Sequence, residues 1–177
     1  MMIVSENTPE SEELRKEFNF LRAATVTAFA DAEFHMKAYL IALTERQNID
    51  DGGGFSLSIE TVVKNFIASF ENNNFPQNIC GEANLLIDAF KKVLDDRHQF
   101  SHGTARLNTS EKSVEMRRFN PIKGNPYNVK LTVYDLNTME ENVRTFNQIC
   151  ESIILLIRDI DNYLELGVRK YLEATSS

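Results

Sequence analysis

The chain has 177 residues, 42% of them hydrophobic, and a formal net charge of -7 with an isoelectric point near 5.0. That length suits one domain with a sizeable core, and the acidity excludes a protein that coats nucleic acid through a broad basic face, because such binding releases many counterions from phosphates. No stretch approaches the roughly 18 uninterrupted apolar residues of a membrane span, and the acidic start MMIVSENTPESEE is unlike a secretory signal, so a soluble cytoplasmic protein is expected.

Residues 1–8 read as a flexible N-terminus. From Pro9 to Gln47 the pattern is helical, with no glycine or internal proline. Thr8 caps it, Pro9 suits the first helical position, and Glu10, Glu12 and Glu13 favour the positive end of the helix dipole. Two neighbouring stripes, Leu14, Phe18, Leu21, Thr25, Ala28, Ala32, Tyr39 and Val26, Phe29, Glu33, Met36, Leu40, form a wide face for burial. The run Asp50-Asp51-Gly52-Gly53-Gly54 breaks the helix as a flexible turn, since it lacks the lysine and spacing of a phosphate-binding loop.

Ser56 or Ser58 then caps a second helix to about Phe70, with Ile59, Val62, Val63, Phe66, Ile67 and Phe70 inward. A third helix runs from Asn78 or Glu82 to Ser101 or His102, and Gly103 is its stop signal. Its apolar stripe is Ile79, Ala83, Leu86, Phe90, Val93 and Phe100, with Arg97 among them. Residues 103–136 read as loop and β-hairpin: Ser113 to Phe119 and Val129 to Tyr134 suit strands, separated by the turn-rich Asn120 to Pro126. Asn137 with Glu140 resembles a capping box opening a last long helix to about Leu172, with Met139, Val143, Phe146, Cys150, Ile153, Ile157, Ile160 and Leu164 on one stripe. Residues 173–177 read as a flexible C-terminus. The expected fold is all-α: a single domain over residues 1–177, an up-and-down four-helix bundle with a β-hairpin inserted between the third and last helices.

Cys80 and Cys150 are far apart in apolar surroundings and read as buried free thiols. Lys91, Lys92, Arg97, Arg106, Lys112, Arg117 and Arg118 concentrate cations in the middle third, whereas carboxylates outnumber cations over the first 17 residues. This asymmetry fits solvated surface charge and a local phosphate-facing patch equally well, and Arg106, Arg117 and Arg118 are the candidates for phosphate binding.

The densest chemistry lies in Arg97-His98-Gln99-Phe100-Ser101-His102-Gly103. His98 and His102, four apart, share a helix face, while Arg97 points substantially away and meets them by reaching round or across a two-fold axis from a second copy. Histidine exchanges protons near neutral pH, and arginine holds phosphate bidentately. Together these properties suit metal-free RNA cleavage, with His102 moving protons, Arg97 stabilising phosphate and His98 a second polar or acid-base group. Structural readings stand beside this one. Arg97 and Glu33, each alone on an apolar stripe, would explain one another as an ion pair, and the histidines could serve the helix dipole as cations. A zinc site on the histidine pair would need distant His35 or a carboxylate, and His35 itself fits the bundle edge.

Arg97, a polar residue at 98, and His102 followed by Gly103 near a helix end in an all-helical chain resemble the HEPN superfamily. The resemblance covers about Glu10 to Tyr171, including the acidic residue of the first helix, here Glu33; the hairpin is an elaboration. It implies a homodimer whose motifs face one another in a cleft, and a metal-independent endoribonuclease with no cofactor, acting on RNA through Arg97, His98 and His102 with Glu33 and Ser101 in support. Such proteins commonly act as toxins or antiphage effectors restrained by an antitoxin or other regulatory protein. One subgroup carries a tyrosine two residues after the histidine, modified by its partner; Thr104 stands there in this chain, so that regulation is not expected. A non-catalytic HEPN-like adaptor binding RNA, a nucleotide or a protein is the alternative, and a purely structural helical protein a third.

Overall fold

A computed structural model of the protein describes residues 8–46, 58–72 and 75–174. They are mostly helical, with one small antiparallel sheet. In chain order the elements are α1 (Pro9–Arg46), α2 (Ile59–Asn72), α3 (Gln77–His102), β1 (Thr104–Asn108), β2 (Ser113–Phe119), β3 (Val129–Asp135), α4 (Leu136–Leu164) and α5 (Arg169–Ala174). Two compact units are distinguished: residues up to 27 with 93–147, and residues 28–92 with 148 onward.

Helix starts follow local chemistry. Thr8 and Ser11 cap α1 reciprocally: the Thr8 hydroxyl accepts from the Ser11 amide at 3.2 Å and the Ser11 hydroxyl from the Thr8 amide at 3.1 Å. Serine thus fills the place usually held by glutamate in a capping box. Thr8 is therefore an ordered cap rather than part of a flexible tail. Of the two serines proposed to open α2, Ser58 does so, accepting from the Thr61 amide at 3.4 Å; Ser56 and the run from Asp50 to Gly54 lie outside the described residues, as does the side chain of Asn137.

The first unit contains the sheet, of strand order β1-β2-β3. The expected hairpin is present as β2 and β3, paired from Ser113↔Asp135 to Phe119↔Val129. A further strand, β1, pairs from Thr104↔Arg117 to Asn108↔Ser113, so the segment expected to be a loop after Gly103 is part of the sheet. Its alternation explains this: Ala105 and Leu107 point inward while Thr104 and Arg106 point out. The Asn108 side chain closes the β1–β2 turn, accepting from the Ser110 hydroxyl at 2.8 Å and the Glu111 amide at 3.4 Å. At the far tip, Ile122 and Asn125 exchange backbone hydrogen bonds of 3.1 and 2.9 Å. Gly124 lies between them at φ 87°, a conformation glycine adopts without steric cost. The inner sheet face completes a core of Leu14, Phe18, Leu21, Phe100, Ala105, Leu107, Val114, Met116, Leu136, Met139 and Val143.

The second unit is built on aromatic packing. Phe29 stacks on Phe90 at 4.7 Å, and Tyr39, Phe66, Phe70 and Phe75 form a chain of successive ring contacts. The buried Tyr39 hydroxyl meets the Ser69 hydroxyl at 3.0 Å, which donates on to the Phe66 carbonyl. Burial, only partly offset by that hydrogen bond, pushes the Tyr39 phenol up to about 12. The last long helix ends earlier than its apolar period suggests. Glu165 and Gly167 take φ 54° and 70°, Asp161 accepts from the Val168 amide at 3.1 Å, and α5 follows as a separate helix whose last two residues lie in the stretch expected to be flexible. The left-handed pair breaks the 3.6-residue period.

Both cysteines are free thiols, but only Cys150 is fully buried; Cys80 is half-exposed. Burial, reinforced by the carboxylates of Asp31 and Glu151, pushes the Cys150 thiol up to about 12. A raised thiol value contributes stability below the unfolded value near 8.5 that is lost as pH climbs toward 12. At pH 8 a disulfide-exchange reagent is expected to label Cys80 first and Cys150 only on unfolding in urea. Replacing Cys150 by alanine should flatten the loss of stability between about pH 9 and 12, measured by urea midpoints.

Candidate functional site

The last two turns of α3 have two faces with different duties. Toward the sheet, Asp95 pairs with Arg118 at 3.0 Å and with Lys130, Asp96 accepts from the Tyr134 hydroxyl at 2.7 Å, and Gln99 Nε2 donates to Thr132 Oγ1 at 2.9 Å. Phe100 lies against the Tyr134 ring at 5.0 Å. Residues 95, 96, 99 and 100 therefore form one face, as the helical period requires. Burial pushes the Asp95 carboxyl up, but the hydrogen bond and charge of Lys130 and the charge of Arg118 outweigh it and hold the group below the ordinary carboxylate value. Burial, with the Asp96 carboxylate beside it, pushes the Tyr134 phenol far up, so it stays a neutral donor.

The same period puts Arg97, His98 and Ser101 on the other side of the helix, each half-buried. Arg97 reaches round to the nearer histidine, one of the two ways expected for it to meet the pair. Its Nη1 donates to His98 Nδ1 at 3.4 Å, and since a guanidinium only donates, this bond assigns the His98 proton to Nε2. The His98 and His102 rings lie with centroids 6.3 Å apart and planes 26° off parallel. His102 itself is exposed at the end of α3.

The end of α3 is tightly specified. The Gly103 amide donates to the Gln99 carbonyl at 2.8 Å. A Cβ on Gly103 would lie 2.5 Å from that carbonyl oxygen and 2.9 Å from the Met116 methyl. Glycine is required here for room, not for a left-handed φ, which Gly103 does not adopt. Arg22 of α1 completes the cap: Nε donates to the Phe100 carbonyl at 2.5 Å and Nη2 to the Gly103 carbonyl at 3.4 Å. Carbonyls that a helix end leaves unsatisfied thus receive a cation.

The remaining proposed residues each have a different setting. Arg106 and Arg117 project from the outer face of the sheet, Arg117 bound to Glu115 at 2.7 Å through Nε. Arg118 faces inward on Asp95 and is the least available of the three to a phosphate. Glu33 belongs to the second unit, where it pairs with Lys37 at 2.8 Å. His35 donates from Nδ1 to the Asp31 carbonyl of its own helix at 2.8 Å. Among the described residues, no group of three or more His, Cys, Asp or Glu side chains is placed to hold a metal ion, and no helix is long and apolar enough to cross a membrane.

Arg22, Asp95, Asp96, Gln99 and Tyr134 support the site without having been marked by the sequence. Their pairings span 33 residues or more except for Arg118 with Asp95 at 23, beyond any local pattern. Comparisons with protein-family models, with curated proteins and with solved structures find no match for this chain.

Replacing Gly103 by alanine is expected to cost about 1–3 kcal/mol through overpacking, read from urea midpoints. Asp95→Asn should selectively remove the acid limb of stability. A lowered carboxylate value contributes stability above its unfolded value near 3.9 that is lost as pH falls through the folded value. The difference between wild type and variant should therefore shrink between pH 6 and about pH 2.

Proposed function

We propose that the protein is a metal-independent endoribonuclease of HEPN type, with Arg97, His98 and His102 at its centre. The observation that carries this reading is the Arg97 Nη1 to His98 Nδ1 bond beside the paired His98 and His102 rings, on the one face of α3 not committed to the sheet. A purely structural account of the histidines as dipole cations is weakened, because Arg22 already supplies the cation at the carbonyl end of α3.

In this reading a histidine, His102, takes the ribose 2′-hydroxyl proton. The 2′-oxygen attacks the adjacent phosphorus and the bond to the 5′-oxygen breaks, leaving a 2′,3′-cyclic phosphate and, once protonated, a 5′-hydroxyl. Arg97 stabilises the charge gathering on the phosphoryl oxygens. With Nδ1 engaged by Arg97, His98 presents Nε2–H as a donor to the phosphate or leaving oxygen. Ser101, one turn on from Arg97, lines the same face.

The reading implies an up-and-down four-helix bundle carrying the sheet, and a homodimer in which a second copy sets its motif opposite the first. It also implies a cytoplasmic toxin or antiphage effector held in check by a protein partner.

The test is cleavage of a labelled mixed-sequence RNA by purified protein in EDTA, with product ends analysed. Wild type is expected to cut, leaving cyclic phosphate ends, and His102→Ala to lose at least about a hundredfold in rate with its helical signal unchanged. Absence of cleavage by wild type across total cellular RNA would overturn the reading in favour of a binding module.

A further inference from the structure

We infer that the cavity between α1, α3, β3 and α4 in the first unit is a binding site for a small primary ammonium ion with an apolar body. Its volume is about 150 Å³, the size of a cavity that admits benzene. Every residue lining it belongs to the first unit. Its walls include residues 93, 96 and 100 of α3 and 139, 143 and 146 of α4, each set following the three- and four-residue spacing of a single helix face.

A carboxylate supplies the charge. Asp95 holds both Arg118 and Lys130, so the next residue, Asp96, is left with a neutral phenol, its Oδ1 accepting from the Tyr134 hydroxyl at 2.7 Å. Asp96 is half-buried and lines the cavity, and among the described residues no cation pairs with it. A carboxylate partly withdrawn from water in this way favours a cation beside it. Among the described residues, no lysine, arginine or histidine lines the cavity, and Arg144, on the same stretch of α4, is taken by Glu140 at 3.3 Å. Burial, then the Asp96 and Asp95 carboxylates, push the Tyr134 phenol far up, so the field at this wall is negative.

The rest of the lining selects the body and the head group. Phe100 and Tyr134, in ring contact at 5.0 Å, stand with Met139 and Phe146 in the wall, and such a wall favours an apolar or aromatic body beside a cation. Asn142 and Thr145 line the exposed rim, and among the described residues their side chains make no hydrogen bond. The Asn142 carbonyl and the Thr145 hydroxyl are thus acceptors open to an N–H donor. A primary ammonium brings three such donors. A quaternary ion brings none, and a bare metal ion would leave the apolar walls unused. The site is independent of the ribonuclease reading, since Asp96 and Phe100 lie on the sheet side of α3 and Arg97 and His98 on the other.

The test is a titration of the full chain with benzylamine, whose ring matches the cavity and whose ammonium is the head group, followed by NMR of the backbone amides and the Met139 methyl. Saturating shifts centred on residues 96, 139 and 142 are expected, with a dissociation constant of about 1 mM or below. Asp96→Asn keeps an oxygen for the Tyr134 hydroxyl but removes the charge, and should weaken binding at least about tenfold. Val93→Phe, at a half-buried lining position, fills the space instead and should also weaken it at least about tenfold. Glu141→Gln, which removes an exposed carboxylate of α4 outside the lining, should leave it within about twofold. Benzyl alcohol, of the same shape but uncharged, should bind at least about tenfold more weakly than benzylamine.

Circular dichroism checks that each variant is folded, and if Asp96→Asn is not, Val93→Phe and the comparison with benzyl alcohol decide. Absence of saturable shifts up to about 10 mM benzylamine overturns the inference. Equal affinity for benzyl alcohol does so too, because the cavity then takes an apolar body without reading its charge. Affinity unchanged in both Asp96→Asn and Val93→Phe, or lost in Glu141→Gln, also overturns it, since the binding is then a diffuse attraction of cations to an acidic surface. None of these outcomes depends on RNA cleavage, so failure of the ribonuclease reading leaves the site standing and failure of the site leaves that reading untouched.

Discussion

The approach of backbone to backbone at Gly103 is the constraint on which the first unit depends. Here α3 hands over to β1 with the Gln99 carbonyl and the Met116 methyl so near that no Cβ fits. Because β1 starts one residue later, this approach sets where Ala105 and Leu107 enter the core. It also sets the register in which Met116 lies between Ala105 and Thr132. A side chain at 103 would push the helix end from the sheet and loosen both. Arg22 reinforces the junction by donating to carbonyls on either side of it.

From that junction the division of labour on α3 follows. One face is consumed by polar contacts with the sheet, an arrangement favourable only because nearly every group finds a partner. The exceptions are Gln99 Oε1 and Arg118 Nε, buried without one among the described residues. Anchoring this face holds the opposite one in place, where Arg97 and His98 meet. A helix tethered at residues 95, 96, 99 and 100 leaves little freedom to rotate the motif, the preorganisation a catalytic or binding site needs.

The sheet itself inverts the usual rule. On β3 the apolar residues Val129, Leu131 and Val133 face outward, while Lys130, Thr132 and Tyr134 face α3. Period-two alternation specifies that two sets exist but not which is buried. Asp95, Asp96 and Gln99 decide it, because they offer Lys130, Tyr134 and Thr132 better partners than water leaves them when the sheet closes on the helix. The result is an outer surface whose β3 side is apolar and whose β1 and β2 side is charged, carrying Arg106, Glu115 and Arg117.

Much of the helical framework was legible in the sequence. The stripe from Met139 to Ile160 is buried as its spacing indicates, and Thr8 with Pro9 marks the start of α1. These signals are local: a period of 3.6 residues and a capping side chain act within one or two turns. The motif RHQFSHG was legible for the same reason, its residues being contiguous. By itself, then, the sequence determined where the long helices begin and which stripes they bury, and that two histidines and an arginine crowd one helix end. Tertiary structure alone decided that β1 joins the sheet, that α4 breaks before α5, and that Arg22 caps α3. Each of these depends on atoms brought together from distant parts of the chain or on a backbone conformation that several residues share, and no local period encodes that.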